Sequence, residues 1–169
     1  MIVRKIMLED AEQFSQLLLR IDASNTMMFE PGERKTSTEI EEKYIESIYF
    51  QRNSTIFVAE HNERLIGYIT AIGGQLARKQ HSAVVVCGIV EEYREQGICL
   101  QLFDSLVAWA QEADVIRLEA AIPESNQHAL QLYKKVGFQT EGEKIDSLLI
   151  NGELINEILL YKRIDWEWG

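Results

Sequence analysis

The stretch from Val84 to Gln111, VVVCGIVEEYREQGICLQLFDSLVAWAQ, constrains what this chain can fold into more than any other. Val84, Val85, Val86, Ile89 and Val90 make a β-branched run around Cys87 and Gly88. A run this apolar predicts a strand buried on both faces. The polar loop Glu91-Glu92-Tyr93-Arg94-Glu95-Gln96-Gly97 follows. From Ile98, apolar side chains recur at Leu102, Phe103, Leu106, Val107 and Ala110, the spacing of a helix face. A strand that feeds a helix through a short Gly-bearing loop aims several backbone N–H groups at one spot. The positive end of the helix dipole lies there too, so the segment reads as an anion site, most often for phosphate. An ordinary strand-to-helix turn would leave much the same pattern, and the loop alone does not decide between them.

The rest of the chain sets the context. At 169 residues it reads as one domain, residues 1–169, long enough for a substantial core. A hydrophobic content of 46% with 26% charged residues is that of a soluble globular protein. The formal net charge of -10 argues against nucleic acid or an anionic membrane as partner and fits a cationic one. No apolar run approaches ~18 residues and no charged-then-apolar leader opens the sequence, so a cytoplasmic setting is expected. Cys87 and Cys99 make neither a metal nor a redox spacing, and no metal site is expected.

In chain order, Met1 to Met7 reads as a strand. Asp10 with Gln13 gives a capping-box signal, and Phe14, Leu17, Leu18 and Ile21 mark a helix face. Thr38 with Glu41 repeats the signal before a helix striped by Ile40, Tyr44 and Ile48. Between these helices, Asp22 to Ser37 has no periodicity. Loops this long are often functional. Met27, Met28 and Phe29 are candidates for a pocket wall, or equally for a plug at the core's edge, and Glu30 and Glu33 could attract an amine. Thr55–Glu60 and Leu65–Gly73 read as strands joined at His61-Asn62-Glu63. Val115 to Ile122 alternates like a strand, and Ser125 should cap a helix through Val136. Ser147–Ile150 and Leu154–Lys162 flank Asn151-Gly152, the strongest hairpin signal present. The tail from Asp165 could dock through Trp166 and Trp168.

Arg94-Glu95-Gln96-Gly97-Ile98-Cys99 resembles the Gln/Arg-x-x-Gly-x-Gly/Ala motif of the GCN5-related N-acetyltransferases, although many members carry Gly where Glu95 stands and Gly or Ala where Cys99 stands. Asn126, Ala129, Leu132, Tyr133, Gly137 and Phe138 match that family's Asn-x-x-Ala-x-x-Leu-Tyr-x-x-x-Gly-Phe pattern. The resemblance implies an α/β fold: a mixed, mostly antiparallel seven-stranded sheet flanked by about four helices. It implies acetyl-CoA as cosubstrate and direct transfer of an acetyl group to an amine acceptor. The loop Arg94, Glu95, Gln96, Gly97, Ile98 and Cys99 would hold the pyrophosphate. Ile89 and Val90 would pair with the pantetheine arm where the central strand parts from its neighbour, and Asn126 would contact the arm.

Tyr133 is then the candidate general acid for the leaving thiolate. Glu119 is the candidate base, with a water relay or Glu30 as substitutes and a plain Glu119–Arg117 surface pair as the structural alternative. Phe29 and Glu30 are candidates for the acceptor side. A protein N-terminus, a polyamine, an amino sugar and a free amino acid all fit as acceptor, and a homodimer stays open. The alternative of a different class is a non-catalytic acyl-CoA-binding sensor module, which would keep the loop and lose the acid and base.

Overall fold

The structure, a computed structural model, describes residues 1–165; the aromatic tail expected to dock lies outside the described residues. One sheet of seven strands runs in the order β1-β2-β3-β4-β5-β7-β6. The strands are β1 (Ile2–Lys5), β2 (Thr55–His61), β3 (Arg64–Gly73), β4 (Ser82–Ile89), β5 (Arg117–Pro123), β6 (Gln139–Ile150) and β7 (Glu153–Arg163). Only β4 and β5 run parallel; every other neighbouring pair is antiparallel. The α-helices are α1 (Ala11–Asp22), α2 (Thr38–Tyr49), α3 (Ile98–Glu112) and α4 (Gln127–Lys135). The mixed, mostly antiparallel seven-stranded sheet flanked by helices is as expected.

Helix α1 buries Phe14, Leu17, Leu18 and Ile21 against the sheet, and the Phe14 ring meets the Tyr68 ring of β3 edge-on at 5.6 Å. α3 buries Leu102, Phe103, Leu106 and Trp109 on the other face, where Phe103 packs on Tyr133 of α4. β4 carries the division. Its Gly88 faces α1, where an added Cβ would come within 2.8 Å of the Tyr68 ring, while Cys87 faces α3. Gly88 is therefore needed for close packing. The β3–β4 register runs unbroken through Gly88.

Several local expectations shift. Asp10 does not cap α1. Its carboxylate accepts hydrogen bonds from the Arg4 guanidinium (2.7 and 2.9 Å) and the Met7 N–H (2.7 Å), and Gln13 reaches out to the backbone of Glu63 and Leu65. Ser37, not Thr38, caps α2 by accepting from the Ile40 N–H, and Glu41 is buried rather than reaching back to a cap. Asn126, not Ser125, caps α4 by accepting from the Ala129 N–H at 3.1 Å. β4 is not buried on both faces: Val84 and Val86 are 45% and 41% exposed. Beyond Val84 the sheet itself opens, beside Val86.

Candidate active site

β4 and β5 pair only at Ser82–Arg117, Ala83–Leu118 and Val84–Glu119. Beyond these residues β5 continues beside β7 and β4 continues beside β3, so the two parallel strands part. The Val90 N–H donates to Ile66 O at 3.0 Å and so faces the strand before it. Backbone direction alternates along a strand, which turns the N–H groups of Cys87 and Ile89 toward the gap. Donors facing an opening are what an extended amide-bearing ligand needs to add itself as a strand.

The loop at the mouth of this gap is shaped by two left-handed residues. Gly97 sits at φ +77° and forms the N-cap of α3; a Cβ there would meet no atom within 4 Å, so the space before it is open. Glu95 holds φ +64° without being glycine, a conformation that costs a side-chain-bearing residue about 1 kcal/mol or more. The loop, the first turn of α3 and one side of α4 enclose a cavity of 290 Å³. A second cavity of 400 Å³ continues inward to Cys87, Gly88, Asn126 and Tyr133. The two share Ile89, Arg94, Glu95, Cys99, His128 and Leu132 and so form one groove. It runs from a helix N-terminus, suited to phosphate, to the parted strands.

Ile89, Arg94, Glu95, Gly97, Ile98, Cys99 and Asn126 all line this groove. Val90 and Gln96 do not. Val90 is 2% exposed with its N–H spent on Ile66, and Gln96 turns back to donate to Glu92 O at 3.3 Å. Arg94 is tied across the groove's entrance, donating to Ser24 Oγ at 2.8 Å and Thr26 Oγ1 at 3.3 Å. Capping occupies the Asn126 oxygen and leaves its Nδ2 donors for the groove.

Tyr133 stands at the inner end. Its ring is clamped edge-on between Phe103 (5.2 Å) and Phe138 (5.0 Å), and its hydroxyl lies against the backbone of Cys87. Burial, reinforced by the nearby Cys87 and Cys99 sulfurs, pushes its phenol well above the ordinary value. The Cys87 backbone hydrogen bond pulls the other way. The group is thus a proton-bearing donor at neutral pH, held beside the gap.

On the α1/α2 side of the sheet lies a further cavity of 380 Å³, and Met27 lines both it and the inner groove. Phe29 lines it, as does Val86. Phe29 is held by Arg34, whose guanidinium carbon sits 4.4 Å from the ring centre. Arg34 in turn makes a two-point ion pair with Asp22, Nε to Oδ2 at 2.6 Å and Nη2 to Oδ1 at 3.0 Å. Asp22 is 1% exposed. This pair folds the long loop back over the end of α1, and its loss would strand a buried carboxylate. Glu41, 6% exposed and hydrogen-bonded by the Thr36 hydroxyl, supplies the cavity's uncompensated negative charge. Sequence reasoning assigns no site role to Arg34, Asp22, Glu41, Tyr44 or Tyr68, all set at or beside this cavity. The one available signal was Asp22 itself, a carboxylate directly following the apolar stripe of α1.

Two candidates stand elsewhere. Glu30 is exposed, lines none of the three cavities, and has its N–H bonded to the Glu33 carboxylate at 3.2 Å. Glu119 lies where β4 and β5 are still joined, and its carboxylate accepts from Arg117 at 3.2 Å, an arginine that also bridges to Glu141. The Glu119–Arg117 pair takes the place of a position in the gap. The cysteines also depart from expectation: strand and helix bring Cys87 Sγ within 3.2 Å of Cys99 Sγ. Among the described residues no cluster of His, Cys, Asp and Glu could hold a metal ion, and no helix is long and apolar enough to cross a membrane.

Solved structures share this architecture. An acetyltransferase of the GNAT family from Streptococcus pneumoniae superposes with a TM-score of 0.93 at 23% identity, covering 96% of this chain and 99% of that one. YncA from Salmonella typhimurium, solved with its cofactor acetyl-CoA, gives 0.88 at 13% identity over 99% and 96%. A spermidine N-acetyltransferase chimera from Vibrio cholerae and hSSAT gives 0.73 at 20% identity over 96% of each. At these identities the likeness speaks for the fold. No curated protein matches the sequence. The family model described as Acetyltransferase (GNAT) family matches residues 19–138, a span that begins in α1 and takes in the long loop, the parted strands, the anion loop and Tyr133. The chain belongs to the acetyltransferase (GNAT) family.

Proposed function

We propose that this chain is a single acetyltransferase domain that transfers the acetyl group of acetyl-CoA directly to a primary amine arriving as a cation. The observation that carries the reading is the parting of β4 from β5 beyond Val84 and Glu119, with the Tyr133 hydroxyl held beside the opening. The pyrophosphate lies against the N–H groups of the Gly97 loop and the start of α3. The pantetheine arm follows the groove past Ile89 and Asn126. The thioester then reaches Cys87, where a gap-facing backbone N–H polarises its carbonyl. The amine attacks from the Met27–Phe29 side, and Tyr133 donates to the departing sulfur. YncA, with the same fold, was solved with acetyl-CoA, which supports the cosubstrate.

The acceptor's charge follows from its cavity. Arg34 is neutralised by Asp22, which leaves Glu41 to favour an ammonium group within walls that are otherwise apolar and aromatic. Glu41 takes over the part that the exposed Glu30 does not fill. The amine's proton leaves through water in this open cavity, with Glu41 as the lining carboxylate. A spermidine N-acetyltransferase of the same fold supports a cationic amine as acceptor.

The test is a screen of amine acceptors with acetyl-CoA, read by release of the CoA thiol. Cationic primary amines are expected to lead. Glu41→Gln, which can still accept from Thr36, should raise their KM roughly tenfold, the size of one hydrogen bond to a charged group. An anionic amine as best acceptor, with Glu41→Gln indistinguishable from the parent, would overturn the acceptor assignment.

Glu95 gives a prediction of the opposite sign. It combines a left-handed backbone with a carboxylate beside the phosphate site. Glu95→Gly should bind acetyl-CoA several-fold more tightly at low ionic strength, and the gain should shrink as salt shortens the ~10 Å screening length at 0.1 M. Titration calorimetry at two salt concentrations checks it. Weaker binding of the variant at low salt would show that the Glu95 side chain helps to hold the cofactor.

A further inference from the structure

We propose that Cys87 and Cys99 form a reversible thiol–disulfide site in the wall of the acetyl-CoA groove, and that closing it weakens cofactor binding. The second half rests on the acetyltransferase reading above; the first does not. The two sulfurs come from different elements, the middle of β4 and the second residue of α3, yet stand 3.2 Å apart, about 1 Å beyond a disulfide bond. Neither is sealed in the core: both are half-buried and both line the inner groove, so a small oxidant reaches them.

The surroundings divide the roles between the two. Cys99 lies in the first turn of α3, where the helix dipole favours an anion. Hydrogen bonding from Cys87 lowers the Cys99 thiol, and the nearby Arg94 charge lowers it further against the opposing effect of burial. The same hydrogen bond, with burial, raises Cys87. Cys99 is the attacking thiolate and Cys87 the resolving thiol.

With a peroxide as oxidant the chemistry balances. The Cys99 thiolate attacks one peroxide oxygen. An S–O bond forms, the O–O bond breaks, and the departing hydroxide takes a proton to become water. The Cys87 sulfur then displaces the hydroxyl of the Cys99 sulfenic acid. The S–S bond forms, the S–O bond breaks, and a second water leaves with the proton from Cys87. The two thiols lose two electrons and the peroxide gains them.

The consequence follows from position. Cys99 stands just past Gly97 and Ile98, whose backbone faces the phosphate end of the groove. Drawing its sulfur toward β4 displaces the turn that aims those N–H groups. Losing one charge-assisted hydrogen bond to the pyrophosphate lowers affinity roughly ten- to hundredfold.

The experiment treats the purified protein with hydrogen peroxide and follows intact mass, peptide linkage and acetyl-CoA binding by calorimetry. The expected result is a mass loss of two hydrogen atoms, a peptide cross-link joining Cys87 to Cys99, and a fall in acetyl-CoA affinity of that size, reversed by dithiothreitol. In Cys87→Ser no intramolecular link forms. Two thiols that stay titratable after peroxide, or a linked protein that binds acetyl-CoA as tightly as the reduced one, would overturn the proposal. If reduced protein binds no acetyl-CoA, the acetyltransferase reading and the affinity half of the proposal fail together. The mass change still decides the thiol pair.

Discussion

Tyr133→Phe should lower kcat by ~10²–10⁴, the usual range for a positioned acid, while acetyl-CoA affinity changes little. The substitution removes one oxygen and keeps the ring, so the cluster with Phe103 and Phe138 remains filled. A loss of rate would therefore report the hydroxyl and not a collapsed core. The raised phenol pKa sets the pH behaviour. A group whose pKa lies above its ordinary value of about 10 stays protonated through that pH, so the parent enzyme should show no alkaline loss of kcat from this residue below about pH 10. On the acid side the rate should rise with pH as the acceptor ammonium loses its proton. Rapid-quench or steady-state kinetics, with calorimetry on the same preparations, separates the two parameters. Unchanged turnover in the variant would reduce Tyr133 to an aromatic packing residue.

What could be read from the chain beforehand was local and periodic. The Asn151-Gly152 turn, the α1 stripe and the strand–loop–helix around Gly97 all appear where nearest-neighbour chemistry places them. The caps came out one residue away because Ser, Thr, Asp and Asn all serve, and tertiary partners choose among them. Asp10 was taken by Arg4, which left α1 without a side-chain cap. Most of β6 was not legible. As an edge strand it is exposed at almost every position, and its pairing slips between Thr140 and Gly142 and between Lys144 and Leu148, so no alternation of buried residues marks it.

The site divides in the same way. The proposed cofactor side lies on one strand–loop–helix and one following helix, where motif spacing maps directly onto space. The proposed acceptor side is assembled across elements. Arg34 reaches Asp22 over the length of an irregular loop, Phe29 is set by Arg34, and Glu41 is held inward by the Thr36 hydroxyl from the same loop. None of these pairings has a period. The Cys87–Cys99 contact is hidden for the same reason, since only the packing of α3 on β4 brings the sulfurs together.

The anion loop offers the largest expected loss of binding. Gly97→Glu should weaken acetyl-CoA binding by roughly 10²-fold or more, about the loss of one or two hydrogen bonds to a charged group. Two separate costs are involved. At φ +77° any side chain strains the backbone by about 1–2 kcal/mol, which lowers stability without choosing a ligand. The second cost falls on binding alone. No protein atom lies within 4 Å of where a Cβ would stand, so the new side chain points into the open space the pyrophosphate needs. It brings bulk and a like charge to the N-terminus of α3. Gly97→Ala separates the two: it should lower the melting temperature about as much as Gly97→Glu while keeping more of the affinity. Calorimetry with acetyl-CoA, paired with thermal melts of both variants, reads each cost independently. If Gly97→Glu binds acetyl-CoA as the parent does, the pyrophosphate does not lie against this loop, and the groove from the α3 N-terminus to Tyr133 is not the path of the cofactor.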